Sequence, residues 1–127
     1  KLLVSELPYE NVSETRDLRH KKDVYEIFLH LLYRHFKTER QIRFYADKLN
    51  VSAPYLSRMI KDISGTTVND HITSLLYKEI CNLLKQSDMT MGEIADHLHF
   101  SDQSAMTNFF KMRAGMTPLA YRNQGRC

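Results

Sequence analysis

Nowhere does this 127-residue sequence hold the run of about 18 apolar residues that a bilayer-crossing helix needs, so nothing in it reads as membrane-spanning. Its opening, Lys1-Leu2-Leu3-Val4 followed at once by Ser5-Glu6, lacks the apolar stretch of a secretory signal. An initiator methionine is also missing, and we read the chain as a piece of a longer protein. Cysteine is scarce. Cys81 and Cys127 stand far apart with no CxxC spacing, which excludes a disulfide framework and a zinc ligand set and fits a reducing, cytoplasmic setting. There is no glycine-rich phosphate loop, no GxSxG and no HExxH, and the carboxylates form no paired constellation, so the sequence does not read as an enzyme and implies no cofactor. His97 and His99 are two apart and would diverge on a helix, with no acidic or cysteine partner at ligand spacing; no metal site is expected. Strand signals are missing as well, because no Val/Ile/Thr-rich alternating run lies between hairpin turns.

What the sequence has is a pattern written twice. Ala46-x-x-Leu49-x-Val51-Ser52, then Leu56, Lys61, Gly65 and Thr67, is followed by Ala95-x-x-Leu98-x-Phe100-Ser101, then Met106, Lys111, Gly115 and Thr117. The offset is 49 residues at Ala46/Ala95 and 50 at Lys61/Lys111. Self-similarity at a fixed period marks one supersecondary unit used twice. Each copy reads as helix, tight turn, helix, the arrangement of a helix-turn-helix reader of DNA. Hydrophobic residues make up 43% of the chain, enough for a packed core, and the net charge of +3 leans mildly toward polyanions.

The elements follow from periodicity. Residues 1–20 carry Pro8, Asn11, Ser13 and Thr15 without a sustained pattern and read as a linker or N-terminal extension with a short helical piece. The domain proper is expected over 21–127. From Asp23 onward, Val24, Ile27, Phe28, Leu31, Leu32, His35 and Phe36 trace one buried stripe of a helix. Tyr45, Ala46 and Leu49 mark a short helix ending at Asn50. Ser52 caps the next, with Pro54 in its first turn, Leu56 and Ile60 inward, and a stop at Gly65. A long helix over about 67–87, capped by Thr66 or Thr67, carries Val68, Ile72, Leu75, Leu76, Ile80, Leu83 and Leu84 inward. Thr90-x-x-Glu93 is a capping-box signature. Ser101 is expected to cap the last reader helix, Gly115-Met116-Thr117-Pro118 to break it, and a short turn at Leu119–Arg122 to close the core. The fold class is therefore all-α, about seven helices, with helix-turn-helix units over about 24–65 and 90–123 joined by the long helix.

The polar faces repeat as well. Pro54, Ser57, Arg58 and Lys61 are spaced i, i+3, i+4, i+7 and share a helix face; so do Ser104, Thr107, Asn108 and Lys111. Helix stability does not require arginine, asparagine and two lysines at equivalent places. Reading DNA does. Phosphates need Lys or Arg and short donors. Base edges need planar bidentate groups such as Arg for guanine and Asn or Gln for adenine, which Arg58, Gln103 and Asn108 supply. Lys61 and Lys111, with the hydroxyls of Ser52, Ser101 and Thr107, are the phosphate candidates. A linking helix over Val68–Gln86 would be about 28 Å long at ~1.5 Å per residue, against the roughly 34 Å between successive major-groove faces.

Ile94-Ala95-x-x-Leu98-x-Phe100-Ser101-x-Gln103-Ser104, then Phe110-Lys111, Gly115-Met116-Thr117-Pro118 and Tyr121-Arg122, resembles the signature of AraC/XylS-type transcriptional regulators. Tyr45-Ala46-x-x-Leu49-x-Val51-Ser52-x-x-Tyr55-Leu56-Ser57-Arg58 is similar to that family's first reader. The likeness covers residues 24–123 and implies a seven-helix domain binding double-stranded DNA in bacterial transcription regulation, usually activation. It further implies RNA polymerase as a partner and a separate sensing or dimerisation domain outside this chain. By position, base reading falls on Pro54, Ser57 and Arg58 in the first reader and on Gln103, Ser104 and Asn108 in the second. Four departures stand out. The turn glycine is Asn50 and His99 here, types that tolerate positive φ. An arginine common in the linking helix is Leu76. Asn108 replaces a longer basic residue, and Asp102 suits a helix start but repels phosphate.

Tyr25, Leu29 and Tyr33 form a second stripe on the first helix, read as a widened core face or as a contact for the absent domain, a dimer mate or RNA polymerase. Cys81 reads as a small core residue and Cys127 as exposed. The competing reading is a helical protein-interaction module without DNA activity.

Overall fold

No glycine or proline interrupts residues 9–35, and in the computed structural model, which describes residues 9–124 and the side chains of 19–124, they form one helix, α1 (Tyr9–His35). It starts well before Asp23. The residues expected to be a linker include Glu10, Glu14, Arg16 and Arg19, all compatible with helix, and their lack of an apolar stripe hid it. The rest of that expected linker, like Cys127, lies outside the described residues. Six further helices follow: α2 (Ile42–Lys48), α3 (Ala53–Ser64), α4 (Val68–Gln86), α5 (Met91–His97), α6 (Gln103–Ala114) and α7 (Pro118–Gln124). Every regular element among the described residues is a helix, and no helix is long and apolar enough to cross a membrane.

The chain divides into two compact units. The first comprises residues through Arg34 together with Gln41–Val68. Its buried side chains include Phe28 and Leu32 of α1, Tyr45 and Ala46 of α2, Leu56, Met59 and Ile60 of α3, and Val68. The Phe28 and Tyr45 rings meet edge to face, with centroids 5.6 Å apart. Ile27, expected inward, is 52% exposed, because the buried stripe narrows to the i, i+4 pair Phe28 and Leu32.

The second unit takes in His35–Arg40 and the chain from Asn69 onward. Ile72, Leu76, Ile80 and Leu84 of α4, Ile94, Ala95 and Leu98 at α5, and Met106 and Phe110 of α6 are buried. Leu76, where the resemblance expects arginine, thus belongs to the apolar interior. Phe110 lies between the rings of Tyr77 and Tyr121, at 5.3 and 5.4 Å. Cys81 beside these tyrosines is half-buried rather than enclosed.

The last helix is longer than the expected turn. Thr117 caps it by accepting from the Ala120 N–H at 3.1 Å. Arg122 on α7 closes the C-terminal end of α4: its Nε donates to the Leu84 carbonyl at 2.8 Å, Nη1 to Met89 at 2.6 Å, and Nη2 to Leu83 and Ser87 at 3.2 Å. One guanidinium thus serves the Leu83 and Leu84 carbonyls in the last turn of α4 and the Ser87 and Met89 carbonyls of the loop that follows. Lys85 adds a bond to the Tyr121 carbonyl at 2.9 Å.

Candidate nucleic-acid interface

The duplication is carried by the backbone. In the first unit α2 ends with the Val51 N–H bonded to the Ala46 carbonyl at 3.0 Å and the Asn50 N–H to Asp47 at 3.2 Å. In the second, Phe100 bonds to Ala95 at 2.9 Å and His99 to Asp96 at 3.1 Å. Both are Schellman-type ends, which need a left-handed residue at the turn. Asn50 has φ 58° and His99 has φ 60°, the only non-glycine residues with positive φ among those described. The two positions where glycine is replaced therefore keep the glycine conformation.

The reader helices begin and end alike. Ser52 accepts from the Tyr55 N–H at 3.2 Å and caps α3. The cap of α6 is not Ser101 but Asp102, whose carboxylate accepts from the Ala105 N–H at 2.8 Å. Ser101 matches Ser52 at an offset of 49, Asp102 at 50; the extra residue of the second copy sits in the turn, so the helix frame has already advanced when α6 starts. A carboxylate at that place also suits the helix dipole. Both helices stop at a left-handed glycine, Gly65 at φ 82° and Gly115 at φ 75°, whose N–H groups bond to the carbonyls of Lys61 and Lys111 at 2.9 Å.

On these scaffolds Ser52, Pro54, Ser57, Arg58 and Lys61 are exposed in the first unit, and Ser101, Gln103, Ser104, Asn108 and Lys111 in the second; Thr107 is half-buried. In each helix the candidates form one row, opposite Leu56 and Ile60 in α3 and Met106 and Phe110 in α6, which are buried.

The rows differ in ways the sequence pattern did not reveal. Asp62, one turn beyond Arg58, lies 3.7 Å from Lys21 of α1, so its charge is partly compensated. Its counterpart in α6 is Met112, 89% exposed one turn beyond Asn108. Arg43 and Gln41 of the first unit line an open cleft of about 400 Å³ with Ile42 and Ala53. At the equivalent place of the second unit, Gln103 Oε1 reaches to within 3.5 Å of where a side chain on Gly92 would begin. Arg40, outside both repeats, donates to the His99 carbonyl at 3.1 Å. Nothing in either repeat signalled it, because its partner lies 59 residues away in the sequence.

Burial pushes the Tyr77 phenol above its ordinary value, helped by Cys81; for Tyr121 the hydrogen bond with Cys81 leads and burial adds. Among the described residues, no three His, Cys, Asp or Glu side chains gather into a metal-binding group.

Comparison with known proteins agrees with this frame. A family model described as a helix-turn-helix domain matches residues 45–124. The probable transcription factor PqrA of Proteus vulgaris is 31% identical over 80 residues, 63% of this chain and 66% of that protein. Among solved structures, the C-terminal domain of AraT, a response regulator from Geobacillus stearothermophilus, superposes with a TM-score of 0.75 at 27% identity, over 80% of this chain and 84% of that one. The DNA-binding domain of AdpA, a global transcriptional factor solved in complex with a target DNA, gives 0.73 at 20% identity, over 81% and 92%. The chain spans between 14% and 66% of the length of the curated relatives it matches.

Proposed function

We propose that this chain, which belongs to the AraC-type helix-turn-helix family of DNA-binding domains from transcription regulators, reads a specific double-stranded site with α3 and α6 in successive major grooves of one duplex. The observation that carries the proposal is the repeated row: exposed polar and basic side chains recur at an offset of 50 on two helices capped at equivalent positions, with the same turn conformation and the same glycine stop. Arg58 and Gln103 supply most direct base readout, assisted by Pro54, Ser57, Ser104 and Asn108. Lys61 and Lys111, with Ser52, Ser101 and Thr107, meet phosphates. Being half-buried, Thr107 contributes least of these.

The biological role proposed is bacterial transcription activation in the cytoplasm, with RNA polymerase as partner and with sensing or dimerisation supplied by a separate domain. The relatives are named as regulators of transcription and not as enzymes, which agrees with a binding role.

Selection of bound sequences from a random duplex pool tests the reading. The expected result is a site of two motifs about one helical turn apart, bound with a steep log–log salt dependence. A flat salt slope with no selected sequence would instead favour a helical protein-interaction module, for which the exposed Ile27 and Tyr33 of α1 would be the surface.

A further inference from the structure

We infer that Arg40 is a positioning residue for the second reader helix, holding the turn from which α6 departs; the inference rests on the DNA-reading proposal above. Arg40 lies between α1 and α2, yet the segment His35–Arg40 packs with the second unit. Lys37 on this segment is 3.4 Å from Glu79 of α4, and the N–H groups of Thr38 and Glu39 bond back to the His35 carbonyl at 3.0 and 2.7 Å. From this platform the guanidinium makes three contacts at once. Nη2 donates to the Lys37 carbonyl at 3.2 Å, Nη1 donates to the His99 carbonyl at 3.1 Å, and the plane sits 5.0 Å from the centre of the Phe100 ring.

His99 and Phe100 are the turn itself. His99 carries the positive φ, and Phe100 is the residue that hands the chain on toward α6. The Phe100 ring in turn lies 5.6 Å from Phe109 of α6, whose other neighbour is the Arg113 guanidinium at 4.8 Å. A column of cation, ring, ring and cation thus runs from Arg40 onto the reader helix. The matching residues of the first unit are Val51, Met59 and Ile63, all aliphatic. The column is a device of the second copy alone.

Its use follows from leverage. The row from Gln103 to Lys111 is roughly 12 Å long at ~1.5 Å rise per residue, so a tilt of about 10° at the turn displaces its far end by roughly 2 Å. Asn108, five residues beyond Gln103, moves by roughly 1.3 Å, which a base-edge hydrogen bond of about 2.9 Å does not survive, whereas the long flexible stem of Lys111 lets its ammonium follow a phosphate, so the salt slope is kept. A planar fork that binds two carbonyls while stacking on a ring restrains tilt; an ammonium of the same charge is a point donor without a stacking face.

The experiment compares wild type, R40K, R40A and F100L on the selected duplex and on the same duplex with the second reader's half scrambled, that half being the one to which Q103A is indifferent. The expected result is that R40A and R40K bind the intact duplex about tenfold more weakly, match wild type on the scrambled one, and keep the same salt slope. F100L, which folds with an apolar side chain in place, shifts in the same direction by less. Wild-type behaviour of R40K, equal weakening on both duplexes, or a slope lowered by about one unit, as for a phosphate contact, would each overturn the inference. Amide hydrogen exchange in the free protein decides independently of DNA. In R40K the Phe100 and Ala105 amides should lose protection while Val51 and Tyr55 keep theirs, and unchanged protection at Phe100 overturns the positioning role even if DNA reading stands. A wild type that selects no duplex would sink the proposed function, with the exchange result still deciding Arg40's hold on the turn.

Discussion

Replacing Arg122 by alanine removes four donors from the corner where α4 ends, at 2.6, 2.8, 3.2 and 3.2 Å. A hydrogen bond to a charged group contributes a net ~1.5–3 kcal/mol, and a buried carbonyl left without a partner forfeits its desolvation as well. The two longer bonds share one nitrogen, and the side chain is only half-buried, so water can replace part of what is lost. Counting the two short bonds alone, at about 1.5 kcal/mol each, gives a destabilisation of about 3 kcal/mol. For a unit of this size that is a fall in Tm of roughly 12–24 °C. Far-UV circular dichroism during urea and thermal unfolding measures it. The loss should appear as a lower urea midpoint and a lower Tm. R122K is the informative companion, because one ammonium cannot face the Leu84 and Met89 carbonyls from two directions; it should recover less than half the loss. A cost below about 1 kcal/mol for R122A, or wild-type stability for R122K, would refute the view that this fork closes the end of α4.

Four further outcomes follow from the same geometry. R58A should lose about 1–3 kcal/mol on the selected duplex and relax preference at one base position in a repeat selection, whereas uniform weakening on every sequence would contradict base reading. K111A should weaken binding on all sequences alike and lower the salt slope by about one unit; an unchanged slope removes it from the phosphate contacts. H99G should stabilise the second unit by roughly 0.5–1 kcal/mol, since the left-handed turn costs a non-glycine residue about 1–2 kcal/mol and glycine gives back part of that in unfolded-state entropy; destabilisation on thermal melting would show that the imidazole itself supports the turn. Because the Tyr77 and Tyr121 phenols are raised above the unfolded value of about 10, their contribution to stability is complete below that pH and is lost as pH rises through their folded values. Phenolate absorbance near 295 nm should show two tyrosines ionising above the ordinary phenol value of about 10, and ionisation of both at that value would contradict the burial argument.

The helical frame was readable wherever short-range chemistry sets it. Thr90 and Glu93 form both halves of their capping box, at 3.1 and 2.8 Å, and Ser52 caps α3 as its residue type predicts. Asn50 and His99 were legible as left-handed positions because few side chains accept that conformation. The start of α1 was hidden because that end of the helix has no apolar stripe to show periodicity. The cap of α6 falls on Asp102 and not on Ser101 because both residue types are good caps and only the register of the turn chooses between them. The polar rows of α3 and α6 are exposed as the spacing requires, Thr107 partly excepted, while their contacts with DNA remain the proposal above. Arg40 and Arg122 could not be read from local pattern: each acts on carbonyls more than 30 residues away, and a backbone carbonyl leaves no mark in residue type.

The single added residue of the second copy is absorbed before α6 begins, so the stretch from cap to glycine, 52–65 in one copy and 102–115 in the other, has the same length and phase. An insertion inside either helix would have swung every later side chain by about 100° around the axis. Confined to the loop, it leaves the two polar rows in phase, so a chain carrying the same row of exposed side chains on both helices would ask both halves of a DNA site for one word.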